Sequence, residues 1–386
     1  MSLLDFTGSS LRELRVALSA LVALSTLHAS PARAEIADGA NAARPPIATV
    51  GYDPDTGAFL RTSDGAWELN PYAMVQLTHT ATGGHALPDT AGFNLHAAKF
   101  ILHGHVYDES VTYHFQLNAG EGKVVAEDLY FRWDARPWLG VLVGQNEVPF
   151  NRQHITLEAY QELIDRSLVD ARYNLQRDIG VATYLHDPAH TIELVVGVFN
   201  GSRQNAPNDD GTYMTTARIA VSPWGPIAFR EADLDDSPRP KLSIAVDGAY
   251  NPRRIVPPDG VSGGSSTTLR HISQGAFETT LRYRGLSLTS EAHARRQEND
   301  AGVVRVDEGA FFQAGFFVVP RHVQIAARRA LLRGDLLPSD AVAETTFGAS
   351  YYLRGHRLKL QTDGSVLESR SGKSGWRARV QLEFFL

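Results

Sequence analysis

From about Trp67 to the C-terminus, sixteen stretches of alternating apolar and polar residues succeed one another, joined by a short turn, then a long polar link, then a short turn. Side chains of a strand alternate between faces, so each stretch reads as a strand with one apolar and one polar face. The last stretch puts Trp376, Ala378, Val380, Leu382 and Phe384 on one face and Arg377, Arg379, Gln381 and Glu383 on the other. The split recurs in Leu358 and Leu360 against Arg357, Lys359, Gln361 and Asp363, and in Leu129, Phe131 and Trp133 against Asp128, Tyr130 and Arg132. It also sets Phe277, Leu281 and Tyr283 against Glu278, Thr280, Arg282 and Arg284. In a soluble sandwich the charged face meets water outside; in a wide barrel it meets water inside.

The links favour the barrel. Gly, Pro or Asp reverses the chain tightly at 108–110, 135–137, 187–188, 284–285, 320–321 and 354–355. Between these turns lie polar links at 81–92, 147–177, 200–211, 252–270, 298–307, 333–341 and 367–374. Short turns on one rim and long links on the other are the asymmetry of outer-membrane barrels, with the short turns periplasmic. Two links break the rhythm: 119–124 is a short outer one and 223–240 a long inner one. The expected fold is therefore all-β, a transmembrane antiparallel barrel of about sixteen strands, too wide for side chains to fill. Trp133, Trp138, Tyr250, Tyr283, Tyr351 and Trp376, near strand ends, are candidates for interfacial girdles as well as for ordinary strand packing.

The N-terminus fits the compartment that such a barrel needs. An apolar run from Arg15 to Ser30 follows Arg12 and Arg15 and precedes Ala32, Arg33 and Ala34, the small-x-small site of a secretory signal, so residues 1–34 are expected to be removed. Residues 35–56, rich in Ala, Pro, Gly and Asp without a period, are expected to be a flexible lead-in, with the barrel domain over 57–386. Beyond the signal no stretch approaches the ~18 apolar residues of a spanning helix, so membrane crossing falls to strands. The chain of 386 residues holds no Cys, which removes disulfides and thiolate chemistry. Its formal charge is −6, and −7 without residues 1–34, so nucleic acid is not an expected partner; outer-membrane lipid and small solutes are.

What narrows a wide barrel decides its function. The longest outer link, Glu147 to Arg177, carries a helical period in Leu157, Tyr160, Leu163 and Ile164, with Thr156 placed as an N-cap. This third outer loop is expected to fold into the lumen; an extracellular flap or a trimer contact is the alternative.

Several runs in order carry a family resemblance: Gly-Gln-Asn-Glu-Val-Pro-Phe at 144–150, Asp165 to Ser167, Arg177 to Gly180, and Val198 to Gly201. Gly57 to Gly65 and Gly348 to Leu360 extend it over most of the chain. In these the chain resembles the phosphate-selective porins O and P of Gram-negative outer membranes. The resemblance implies a sixteen-stranded porin, commonly trimeric, whose third loop constricts a path lined by arginines and lysines, and hence an anionic solute. Fixed positive charge along a wet pore lowers the entry barrier for an anion without a dehydrated site. The sequence departs from the family where Glu147 replaces a Lys, and where His96, Ala97 and Lys99 stand for an Arg pair and a further Arg. Fewer positive charges, one of them reversed, imply passive diffusion of small hydrophilic solutes with only modest preference for anions such as phosphate.

The candidate constriction and anion path comprises Arg152, Arg166, Arg172 and Arg177 of the loop region, with Lys99, Arg132, Arg282, Arg357, Lys359, Arg377 and Arg379 on inward faces. Arg295 and Arg328 share those faces, as do Asp128, Asp247, Glu278, Glu291, Glu344, Asp363 and Glu383. Arg177 and Asp178 also suit a structural role at the loop–strand junction. His103 and His105 point the same way from one strand but lack an evident third ligand, and 208–211 lacks the ligand spacing of a calcium loop, so no metal or cofactor is expected. No nucleophile elbow or phosphate-binding glycine loop suggests an enzyme. A secreted β-sandwich that binds ligands, and an outer-membrane barrel acting as an adhesion or binding module without a conducting pore, remain as alternatives.

Overall fold

The computed structural model describes residues 48–53, 57–255, 268–299, 302–334 and 342–385. The expected signal at 1–34 lies outside them. Among the described residues, sixteen antiparallel strands close into a barrel when the last pairs with the first, from Gly375 opposite Gly84 to Phe385 opposite Met74. The strands run from β3 (Trp67–Gly84), β4 (Thr90–Val106), β5 (Asp108–Asn118) and β6 (Val125–Arg136) through β7 (Leu139–Glu147), β8 (Arg177–His186), β9 (Ile192–Phe199) and β10 (Met214–Val221). The second half comprises β11 (Lys241–Ile255), β12 (Thr268–Tyr283), β13 (Leu286–Asn299), β14 (Val304–Val319), β15 (Val323–Gly334), β16 (Ala343–Tyr352), β17 (Leu358–Glu368) and β18 (Ser374–Phe385).

The alternation read from the sequence resolves in favour of a wet interior. On β17, Lys359, Gln361, Asp363 and Ser365 are buried while Leu360 and Val366 are 43% and 48% exposed. On β14, Gln313 is buried and Phe312 and Phe316 face outward. Buried ionisable residues behind an exposed aliphatic and aromatic belt invert the pattern of a soluble sandwich, and such a belt is stable against lipid tails. Trp133, Trp138, Tyr250, Tyr351 and Trp376 are among the outward aromatics.

Two sequence expectations need correction at the rims. The lead-in 35–56 is not irregular throughout, because β1 (Ala48–Asp53) pairs with β2 (Gly57–Thr62) as a hairpin. Leu60 and Arg61 of β2 pair with Leu69 and Glu68 of β3, occupying an edge of β3 that β18 does not reach. On the long-link rim, β3 and β4 continue to Gly84 and from Thr90, which shortens the link expected at 81–92. The turn at 284–285 is the tight reversal expected of it: Arg284 and Gly285 have φ of 49° and 77°, the left-handed pair of a type I′ hairpin.

Candidate functional site

The third outer link leaves β7 at Glu147, returns at Arg177, and is closed at its root where Val148 N–H donates to Gln176 O at 2.9 Å. Between these points it makes α1 (Arg152–Ile155), a 3-10 turn at Glu158–Tyr160, and α2 (Leu168–Tyr173). The helix expected on Leu157, Tyr160, Leu163 and Ile164 does not form as one element. Its backbone donors are spent on side chains: Glu162 N–H on Glu231, Ile164 N–H on Asp363 of β17, Leu168 N–H on Glu344 of β16. Burying Leu163 and Ile164 with such partners replaces the intrahelical bonds. Thr156, expected as an N-cap, instead ends α1, its hydroxyl donating to Arg152 O at 2.9 Å; Ser167 caps α2 by accepting from Asp170 N–H at 3.0 Å.

These partners put the loop inside the barrel. Lys359 Nζ donates to Ala159 O at 2.8 Å and Gln161 O at 3.1 Å, and Arg328 donates to Asp165 O at 2.9 Å and Arg166 O at 3.1 Å. Lys99 Nζ lies 2.6 Å from Glu158 and 2.8 Å from Glu127, and Arg379 clasps Asp165 and Asp363. The wall is also cut to receive the loop. A Cβ on Gly315 would lie 2.3 Å from the Glu162 carboxylate, and one on Gly348 would lie 2.6 Å from Leu163 Cδ2.

A second segment, which the sequence marked only by its length, enters from the opposite rim. Residues 222–240, between β10 and β11, are anchored where Gly285 N–H of the β12–β13 turn donates to Asp233 at 2.8 Å. Arg152 and Arg282 both donate to Ala228 O, at 2.6 and 2.8 Å, and the Arg152 guanidinium lies 4.5 Å from the Phe229 ring centre. Glu231 accepts from Gln153 Nε2 at 3.0 Å and from Glu162 N–H at 2.9 Å. Gln313 Nε2 donates to Glu162 at 3.0 Å and to Glu231 at 2.8 Å, so one amide bridges carboxylates from the two inserted segments. Burial and the neighbouring Glu231 carboxylate hold Glu162 up at about 7, although Ser287, Gln313 and Gln324 donate to it.

Below the loop, toward the short-turn rim, the lumen keeps a cavity of about 1220 Å³ bounded chiefly by β3 to β10 and by residues 229–234 and 354–357. Six arginines line it, Arg132, Arg177, Arg218, Arg230, Arg354 and Arg357, against three carboxylates, Asp128, Glu147 and Glu193. The carboxylates are not free. Arg177 is 2.9 Å from Asp128 and 3.0 Å from Glu147, and Arg218 is 3.1 Å from Glu193 and 2.8 Å from Glu278. The reversed charge at Glu147 is thereby paired, though it shares the one Arg177 guanidinium with Asp128.

The residues proposed from the sequence divide accordingly. Arg132, Arg177 and Arg357 face the cavity. Lys99, Arg152, Lys359 and Arg379 hold the inserted segments, and Arg282 holds Ala228. Arg166 donates to the carbonyls of Gln153, His154 and Thr156 within its own loop, and Arg172 reaches Asp307 of β14 at 2.6 Å. Arg377 stands 3.9 Å from Asp165, and His96, bulged out of the β3–β4 register, is 3.6 Å from the same carboxylate. His105 contacts Gly65 O and His103 packs on His114, and Asn208 accepts from Gly211 N–H as the expected turn does.

The model of the family described as phosphate-selective porin O and P matches residues 80–223. Among solved structures, the anion-selective porin from Comamonas acidovorans superposes with a TM-score of 0.58 at 12% identity, covering 83% of this chain and 100% of that one. The outer membrane channel DcaP of Acinetobacter baumannii gives 0.54 at 12% identity, over 84% and 99%. OmpT of Vibrio cholerae in its trimer form gives 0.53 at 7% identity, over 83% and 100%. No curated protein matches the sequence. Identities this low carry the fold alone, whereas the family match reads the residues themselves. The chain is a β-barrel porin in fold, and over residues 80–223 it matches the phosphate-selective porin O and P family.

Proposed function

We propose that the protein lets small hydrophilic solutes diffuse passively across the outer membrane of a Gram-negative cell, with a modest preference for anions such as phosphate. It makes and breaks no covalent bonds. The arginines that border the lumenal cavity carry the anion preference, since fixed cations beside water lower the barrier for an anion to enter, and the acids paired with Arg132, Arg177, Arg218 and Arg230 keep that preference modest. On this reading Arg132 and Arg357, with Arg177 beside them, lie along the solute path. Lys99, Arg152, Arg166, Arg172, Arg282, Lys359, Arg377 and Arg379 set the bore by holding what is folded into it. A homotrimer is supported by the trimer form of OmpT.

Planar bilayers test this directly. Purified protein is expected to give discrete conductance steps in KCl and, in a salt gradient, a reversal potential of anion-selective sign. A cation-selective potential removes the anion preference alone. The filling of one side of the lumen gives some support to a second reading, a plugged barrel that acts as a binding module. Silent bilayers from folded protein would favour it.

A further inference from the structure

The cavity below the loop is more than cationic, because its arginines come with aromatic rings. The Arg132 guanidinium lies 4.8 Å from the centre of the Tyr184 ring, and that of Arg230 lies 5.4 Å from the centre of Tyr160. Arg132 reaches Tyr184 across β7, where a Cβ on Gly140 would lie 2.9 Å from its guanidinium. One position before Arg132 on the same inward face, Tyr130 stacks on His114 with ring centres 5.3 Å apart and planes 5° from parallel. All of these side chains line the one cavity.

A hydrated inorganic anion gains from the guanidinium groups and nothing from the rings. A neutral sugar gains from the rings and has little use for the charge. A flat aromatic body bearing one carboxylate uses both, with its carboxylate on a guanidinium and its face or edge on the neighbouring tyrosine. The cavity carboxylates that could repel it, Asp128, Glu147 and Glu193, are each within 3.1 Å of an arginine. The docking arginines have acids of their own, Asp134 at 2.9 Å from Arg132 and Asp235 at 3.6 Å from Arg230, so the ligand carboxylate has to share each guanidinium. We propose that this cavity is a binding site for aromatic carboxylates, with Arg132 and Tyr184 as one docking pair and Arg230 and Tyr160 as the other. The assignment rests on the reading of the lumen as a wet path that solutes can enter.

Benzoate is the probe, titrated by calorimetry into folded protein in detergent beside cyclohexanecarboxylate and inorganic phosphate. Benzoate is expected to bind roughly fivefold more tightly than either, cyclohexanecarboxylate keeping the charge without the ring. Arg132→Ala and Tyr184→Leu should each weaken benzoate roughly fivefold and leave phosphate less affected. Arg230→Ala, on the segment between strands, does the same roughly threefold and keeps the test open if a strand variant fails to fold. Equal affinity for benzoate and cyclohexanecarboxylate, tighter phosphate, or variants that bind as the parent does would overturn the site. Bilayer conductance in KCl separates the two claims: conducting channels without benzoate binding remove the site alone. Benzoate binding with silent bilayers keeps the site and removes the channel.

Discussion

The wall from β12 to β18 and the wall from β3 to β10 present the same kind of inward face and put it to opposite uses. On the first, Arg328, Lys359, Gln361 and Arg379 are buried against loop carbonyls and carboxylates. On the second, Tyr130, Arg132 and Tyr184 border open space. Lys99 and Arg177 mark the transition, since they belong to the open side but sit near the loop root, where Glu158 and Glu147 meet them. A period-two pattern therefore tells which way a side chain points and is silent on what waits there. The inserted segments decide that, and their grip on one wall leaves the other for solutes.

The comparison breaks most visibly where a wall cation is buried with its acid. Arg328→Met deletes the donors to Asp165 O and Arg166 O and leaves Glu344, 2.8 Å away, without its cation. Losing one member of a buried pair costs about 3–5 kcal/mol. The loop should detach, with trypsin cutting after Arg166 and Arg172 and with higher, noisier conductance. Continued resistance of both sites to trypsin would mean that the wall does not hold the loop. A smaller effect is expected from shape alone. Gly315→Val puts methyl groups where the Glu162 carboxylate lies, and overpacking of this kind costs about 1–3 kcal/mol. Conductance should rise less than with Arg328→Met, whereas Gly364→Val, at a β17 glycine with open space around its Cβ position, should leave it unchanged.

The barrel was legible because its signal is repeated: sixteen strands with one rule, and rims told apart by link length. The expectation that the 147–177 loop turns inward also agrees with its contacts. The local form of that loop was not legible. Leu157, Tyr160, Leu163 and Ile164 have helical spacing, but Glu231, Asp363 and Glu344 capture the donors that a helix would use, and those acids are 69 to 199 residues away in sequence. The segment 222–240 was missed for a related reason. Its hold on the lumen runs through Ala228 O, Glu231 and Asp233, a backbone oxygen and two ordinary acids, with length as the one visible cue. Among the candidate site residues on strands, periodicity gave the inward face but could not separate those that fasten, such as Lys359 and Arg379, from those that face a cavity, such as Arg132.

The contact between the two inserted segments should respond to pH. Glu162 is held up at about 7, so folding binds its proton more tightly than the unfolded chain does. The linkage sign follows: the docked arrangement is favoured at low pH, loses stability as pH rises from the ordinary carboxyl range through about 7, and changes little above that. With Glu231 facing it and Gln313 shared between them, an ionised Glu162 pushes the segments apart. Conductance is expected to increase between pH 5 and pH 8, and Glu162→Gln should flatten that dependence. An unchanged profile in the variant would assign the titration elsewhere.

The smallest effect is expected at Arg377, and it sharpens the comparison most. It lies on the fastening wall, yet its guanidinium is 3.9 Å from Asp165 and the two side chains are 23% and 32% exposed, so the pair is worth under about 1 kcal/mol. Arg377→Ala should leave trypsin resistance as in the parent, because Arg379 still clasps Asp165. Only the loss of one lumenal charge should register, as a slight drop in anion preference by reversal potential. If this variant instead loosens the loop as Arg328→Met does, then proximity to the wall rather than burial of the pair sets the grip, and the contrast between the two walls loses its physical basis.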